Sequence, residues 1–144
     1  MEKLRFDNGV RAFQLGNCGV LRFNPGDPNL YARLMEAQKK LQELEKELAV
    51  QAPSAESDSA AAVVLLQRAD QQVKQLLSWA FGGDNDFEQI LEGVNLLAAT
   101  ENGQRVMDNL MAALQPVLVQ GAERCVREKT DAALAQAKTR REAL

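Results

Sequence analysis

WAFGGDNDFEQILEGVNLL, Trp79 to Leu97, is the stretch in which the chain changes direction. A helical pattern runs into Trp79-Ala80-Phe81 and stops at Gly82-Gly83, glycine being the residue that tolerates the left-handed conformation common at helix C-termini. Asp84-Asn85-Asp86 follow, each able to accept hydrogen bonds from the first free N–H groups of a new helix. Asp86 and Gln89 have the spacing of a capping box, and Asp84, Asp86 and Glu88 lie at the positive end of the new helix dipole. The stretch therefore predicts helix, tight corner and short helix, with Trp79, Phe81, Phe87, Ile90 and Leu91 drawn together as the centre of the core.

Working outward, 144 residues suffice for one domain, 1–144, with a substantial core. A net charge of −3 argues against general nucleic-acid or anionic-membrane binding, which needs a clustered basic surface. The middle of the chain is acidic and the tail after Met111 mildly basic, a pattern that fits solvated helix faces or attraction between the two regions. Cys18 and Cys125 are far apart, with no CxxC pair and no histidine, so a zinc site lacks its usual ligands and free thiols in a reducing cytoplasm are expected. No apolar run reaches the roughly 20 residues that span a bilayer. MEKLRFDNG also lacks the apolar segment of a signal peptide, so a soluble, cytoplasmic protein is expected.

Before the corner, residues 3–23 read as a small antiparallel β-meander. Lys3–Phe6, Val10–Leu15 and Val20–Phe23 are its strands, with turns at Asp7-Asn8-Gly9 and Gly16-Asn17-Cys18-Gly19. Asp27 and Pro28 then suit the N-cap and first position of a long helix, 28–49. Leu30, Leu34, Ala37, Leu41, Leu44 and Leu48 form a heptad stripe along it. The polar, proline-containing segment 50–59 reads as a linker. The next helix, about 60–81, turns Leu65, Leu66, Val73, Leu76 and Leu77 inward and Arg68, Asp70, Gln71 and Lys74 outward.

After the corner come a short helix over Phe87–Glu92 and an apolar connector at Val94–Leu97. The last helical pattern begins near Thr100–Gly103 and carries Val106, Met107, Leu110, Met111, Leu114, Val117 and Leu118. Pro116 inside it predicts a kink or a break. Beyond Gly121 the apolar stripe thins, and 122–144 reads as a weakly packed helical tail. The fold class is thus α+β, mainly α: a small β-module followed by a bundle of about four helices.

No pattern of reactive side chains accompanies these stripes. The missing histidine removes the commonest general base, and Gly82-Gly83 lies in no phosphate-loop motif. Asp84, Asp86 and Glu88 begin like a calcium loop, but Phe87, Ile90 and Leu91 stand where further oxygen ligands are needed, so capping accounts for them better. Trp79 beside Phe81 suits core packing or, less simply, a ligand platform, and Cys125 suits a small apolar position. Catalytic, cofactor and metal residues are accordingly all absent from this reading, which is that of a non-enzyme.

Two local patterns carry a resemblance. One is Phe81-Gly82 followed by Asp84, Asp86, Phe87, Ile90 and Leu91; the other is Phe23-Asn24-Pro25 with Asp27. With the element order over residues 4–120, the chain resembles the tail assembly chaperones encoded among the tail genes of long-tailed phages and prophages of Gram-positive bacteria. The resemblance implies a non-enzymatic protein of the bacterial host cytoplasm. It would coat the phage tape measure protein, keep it soluble, and recruit tail-tube subunits that displace it. The partner-binding groove expected on this basis is lined by Leu30, Leu34, Leu41, Met107, Leu110, Met111 and Leu114, contacting the partner or a further copy in a homo-oligomer. Plain intramolecular core is the competing reading for each of the seven. Two other functions remain open at this point: a structural or adaptor protein of a phage particle that self-associates through helices, and a regulatory helical domain with a small-molecule pocket near Trp79.

Overall fold

The computed structural model describes the backbone of residues 1–55 and 58–143, and the side chains of all of these except 54–55, 128–132 and 142–143. Two antiparallel strands, β1 (Arg11–Gln14) and β2 (Val20–Phe23), pair in the register Arg11↔Phe23, Ala12↔Arg22, Phe13↔Leu21 and Gln14↔Val20. Helices α1 (Pro28–Ala55), α2 (Ser59–Phe81), α3 (Phe87–Ile90) and α4 (Val106–Ala143) follow. The architecture is α+β and mainly helical, as the sequence pattern predicts.

The β-module is a two-stranded hairpin, not the expected three-stranded meander, because Lys3–Phe6 joins no sheet among the described residues. Asp7 and Asn8 fold the chain into successive Asx turns, accepting from the N–H groups of Gly9 (2.8 Å) and Val10 (3.0 Å). Asn24 then donates to the Asn8 carbonyl at 3.2 Å. The turn is thereby fixed over the far end of β2, and Leu4 and Phe6 are left 85% and 82% exposed.

α1 and α2 form an antiparallel hairpin, tied near the corner by the Arg33 Nε donating to the Ala80 carbonyl at 2.8 Å. α4 returns antiparallel to α1: Arg105, just before it, lies 3.5 Å from Glu45, whereas the Tyr31 hydroxyl reaches the Leu118 carbonyl 2.9 Å away. The core lies where all elements meet, and Leu21, Leu30, Phe87 and Leu96 are its largest fully buried side chains. Full burial of each such side chain contributes about 1.5–3 kcal/mol. A row of rings joins sheet to helices, with centroid separations of 5.0 Å for Phe13–Phe23, 5.0 Å for Phe23–Phe81 and 5.5 Å for Phe81–Phe87.

At the corner, Gly82 ends α2 with φ 72° while its N–H bonds the Ser78 carbonyl, and Asp86 caps α3 through the Glu88 N–H. Phe81, Phe87, Ile90 and Leu91 come together as expected, but Trp79 does not join them. It points away from the core, 43% exposed, beneath the Lys40 ammonium 5.2 Å from its ring. The reason is helical spacing: Leu77, Ala80 and Phe81 already occupy the inward face of that turn.

Several boundaries shift. α1 continues through Pro53 to Ala55, so 50–55 is helix instead of linker; Glu56 and Ser57, the centre of that expected linker, lie outside the described residues. α3 stops at Ile90 because Glu92 and Gly93 turn to φ 53° and 80°. Residues 99–105 form a turn bridged between Ala99 and Arg105, and α4 begins only at Val106. Of the kink or break expected at Pro116, the break does not occur: α4 runs on across it. Both interruptions fall on solvent-facing positions: Pro53 opposite the carbonyl of Ala49, Pro116 opposite that of Ala112, all four exposed. At exposed positions solvent can take the place of the bond that proline cannot donate.

Gly121 lets α4 cross the hairpin exit. A Cβ at this position would overlap the Pro25 carbonyl oxygen and stand 2.7 Å from the Tyr31 hydroxyl, which itself donates to that carbonyl at 2.5 Å. Burial, with Cys125 beside it, pushes the Tyr31 hydroxyl above its usual pKa. Gly121→Ala is expected to destabilise the protein by ~1–3 kcal/mol despite its gain in helix propensity. Chemical denaturation of the two proteins checks this; equal or greater stability of the alanine variant contradicts the close approach.

Candidate functional site

The seven residues expected to line a groove sit on the facing sides of α1 and α4, and the antiparallel pairing does bring the two stripes together. The result is interior. Leu30, Met107, Leu110 and Leu114 are buried, and Leu34, Leu41 and Met111 pack half-buried against the same core. Four of these side chains fill the molecule's own core and the other three flank it, as the competing intramolecular reading has it. Their intramolecular role accounts for them because β2, α2 and the 94–97 connector supply the remaining walls.

Two residues read as outward-facing are turned in instead. Asp70 and Lys74 are 5% and 3% exposed and form an ion pair of 2.8 Å, one helical turn apart on α2. Lys74 also reaches Glu88 of α3 at 2.7 Å, and Asp70 accepts the Leu96 N–H at 2.7 Å. Beside them the Ser78 hydroxyl donates to the Lys74 carbonyl and accepts the Phe87 N–H. Burial disfavours the charged lysine, but the hydrogen bonds and charges of Asp70 and Glu88 outweigh it and raise the Lys74 pKa. The sequence signal was present: an Asp–Lys pair at i,i+4 bracketing the buried Val73.

Asn85 was read as one of three cap candidates and does something else. Its side chain accepts from the Arg22 N–H at 3.0 Å and donates to the Arg22 carbonyl at 2.6 Å, imitating a neighbouring strand along the outer edge of β2. The Gly19 N–H donates to the Ile90 carbonyl at 2.7 Å and pins the hairpin turn to α3. No sequence pattern announces a contact between residues 63 positions apart.

Apolar side chains not used by the core include three groups, besides Met35, Trp79 and Val94. Leu4 and Phe6 precede the hairpin. Val50, Val63, Val64 and Leu66 lie on the α1–α2 hairpin, toward its connection. Val119, Val126 and Leu134 follow one another down α4, and every described side chain from Ala133 to Arg141 is exposed. A cleft of about 690 Å³ lies between the Asp7–Arg11 segment and α4, with Pro25, Val117 and Cys125 among its walls. Cys18 and Cys125 are free thiols, each half-buried. Among the described residues no three Cys, Asp or Glu side chains are grouped to hold a metal ion, and no helix is long and apolar enough to cross a membrane. No protein-family model, curated protein or solved structure matches this chain.

Removing one partner of the buried pair is expected to cost far more than removing both. Lys74→Met strands the Asp70 carboxylate and costs ~3 kcal/mol, whereas Asp70→Leu combined with Lys74→Met recovers most of that loss. A double-mutant cycle by denaturation checks the difference. Because the folded pKa of Lys74 is raised, its contribution is complete below the ordinary value of 10.5 and is lost as pH climbs through the raised value. The wild type should therefore lose stability in that alkaline range relative to the double variant, and an unchanged difference would contradict the assignment.

Proposed function

We propose that this protein is a non-enzymatic tail assembly chaperone, which holds the tape measure protein of a long-tailed phage during tail assembly and yields it to tail-tube subunits. The observation that carries this reading is apolar surface left over from a complete core. Val63, Val64 and Leu66 on α2, and Val119, Val126 and Leu134 on α4, are exposed while the core beneath them is filled without their help. Exposed apolar positions along long helices suit an amphipathic helix laid against them, and a tape measure protein is a long helical chain that needs such cover. The Phe81–Leu91 and Phe23–Asp27 patterns that carry the family resemblance form the corner and the hairpin exit of the fold. On this reading they shape the scaffold, and the helix surfaces bind. Binding of this kind requires no reactive side chain, and its place of action is the cytoplasm of the bacterial host.

Co-expression tests the proposal. A tape measure protein from the same source should be soluble and co-purify when both are made, and aggregate when made alone; equal solubility alone overturns the chaperone reading. Val63→Glu with Val64→Glu, on an exposed surface, should leave stability within ~0.5 kcal/mol of the wild type while weakening co-purification. Recovery of the chain at fixed stoichiometry in finished phage particles would assign it instead to the permanent structure.

A further inference from the structure

The unpaired segment ahead of the hairpin repeats the sequence of β2. Leu4-Arg5-Phe6-Asp7-Asn8-Gly9 and Leu21-Arg22-Phe23-Asn24-Pro25-Gly26 share leucine, arginine, phenylalanine, an Asx residue and glycine at the same offsets. The likeness extends to structure. Asp7 accepts the Gly9 N–H at 2.8 Å, and Asn24 accepts the Gly26 N–H at 2.8 Å, so both copies end in the same Asx turn. What precedes the turn differs: Leu21 and Phe23 are 0% and 3% exposed, Leu4 and Phe6 85% and 82%.

β2 shows what such a segment does when it is paired. Arg22 directs its N–H and carbonyl away from β1, to Asn85, which makes Ala12↔Arg22 a pair that exchanges no hydrogen bonds. Ala12, its partner in register, therefore directs its own N–H and carbonyl to the opposite side, the open edge of β1, and Gln14 does the same two residues on. One edge of the sheet is thus closed by Asn85. The other offers the backbone groups of Ala12 and Gln14 to an incoming strand.

We infer that Lys3–Phe6 of one copy adds antiparallel to the open edge of β1 in a second copy, so that the protein self-associates by strand donation. The β2 register transfers directly to this edge. Arg5 stands opposite Ala12 and Lys3 opposite Gln14 as hydrogen-bonded pairs, while Leu4 meets Phe13 and Phe6 meets Arg11 on the core-facing side. Phe6 then lies beside the guanidinium of Arg11, which already stands 4.9 Å over the Phe13 ring. The ring row Phe13–Phe23–Phe81 gains a neighbour at its outer end. The segment's own β1 does not take it up. Asn24 holds the Asp7–Gly9 turn over the end of β2, beside the α4 cleft, and Leu4 and Phe6 ahead of it stay exposed. Donor and acceptor are different surfaces, so the contact can link copies head to tail or be exchanged reciprocally in a dimer.

Two variants of the full chain isolate the two halves of the contact. Leu4→Asp with Phe6→Asp disables the donor at positions the fold does not bury. Ala12→Pro disables the acceptor by removing an N–H that β2 does not use, at an edge position where proline is tolerated. By sedimentation, the wild type should associate, and each variant alone should associate at least about tenfold more weakly. A one-to-one mixture of the two variants should form a heterodimer, since one retains the edge and the other the donor. The inference is overturned by a wild type that stays monomeric, by association that survives the Leu4/Phe6 change, or by a mixture that remains monomeric. If Ala12→Pro fails to fold by circular dichroism, Ala12→N-methylalanine in a semisynthetic chain removes the same N–H and gives the same reading. Failure here leaves tape measure binding untouched, because that rests on α2 and α4.

Discussion

The buried Asp70–Lys74 pair is the contact on which the remaining arrangement hangs. Alone, two charges one turn apart on a helix are worth a few tenths of a kcal/mol at a surface. Beneath the corner they are shielded from water, and their remaining hydrogen-bonding capacity is directed at other elements. Asp70 fixes the Leu96 N–H, and Lys74 fixes Glu88 of α3. The corner thus has a determined geometry, because any other packing of α3 and the 94–97 connector strands a charge in the interior.

From that corner the constraints pass outward in one connected series. α3 receives the hairpin turn through the Gly19–Ile90 hydrogen bond, and Asn85 closes the edge of β2. Phe87 and Phe81 carry the ring row to Phe23 and Phe13. The hairpin in turn seats α4, since Pro25 meets Gly121 with the Tyr31 hydroxyl held between them and Leu118. A hairpin of two four-residue strands is marginal in isolation, and here it is supported by helices on its inner face and by Asn85 of the corner at one edge.

A core completed in this way leaves the long helices with apolar positions to spare. The side chains that first invite a binding interpretation, Leu30, Leu110 and Leu114, are consumed by the interior. Among those that remain at the surface are Val63, Val64, Leu66, Val119, Val126 and Leu134, together with Leu4 and Phe6. They differ in geometry: the helical set suits the flank of another helix, while Leu4 and Phe6 belong to an extended segment and suit a sheet edge. A chaperone that both holds a long partner and assembles along it would use the two kinds of surface at once.

The order of elements, the Gly82 stop, the Asp86 cap and the facing stripes of α1 and α4 were legible in the chain itself. Each depends on interactions within a turn or two of helix, and spacing reports those faithfully. The failures share the opposite character. Whether Lys3–Phe6 pairs, whether Trp79 is covered and which way Asp70 and Lys74 point all depend on residues tens of positions away. The seven expected groove residues show the same division: periodicity placed them on one apolar face, but only the return of α4 along α1 decided that this face is interior. Sequence pattern alone determined which surfaces are apolar, because that is a property of side chains at known offsets. Tertiary structure alone decided which of them are hidden, because burial needs a partner surface, and the partner is supplied by distant parts of the chain.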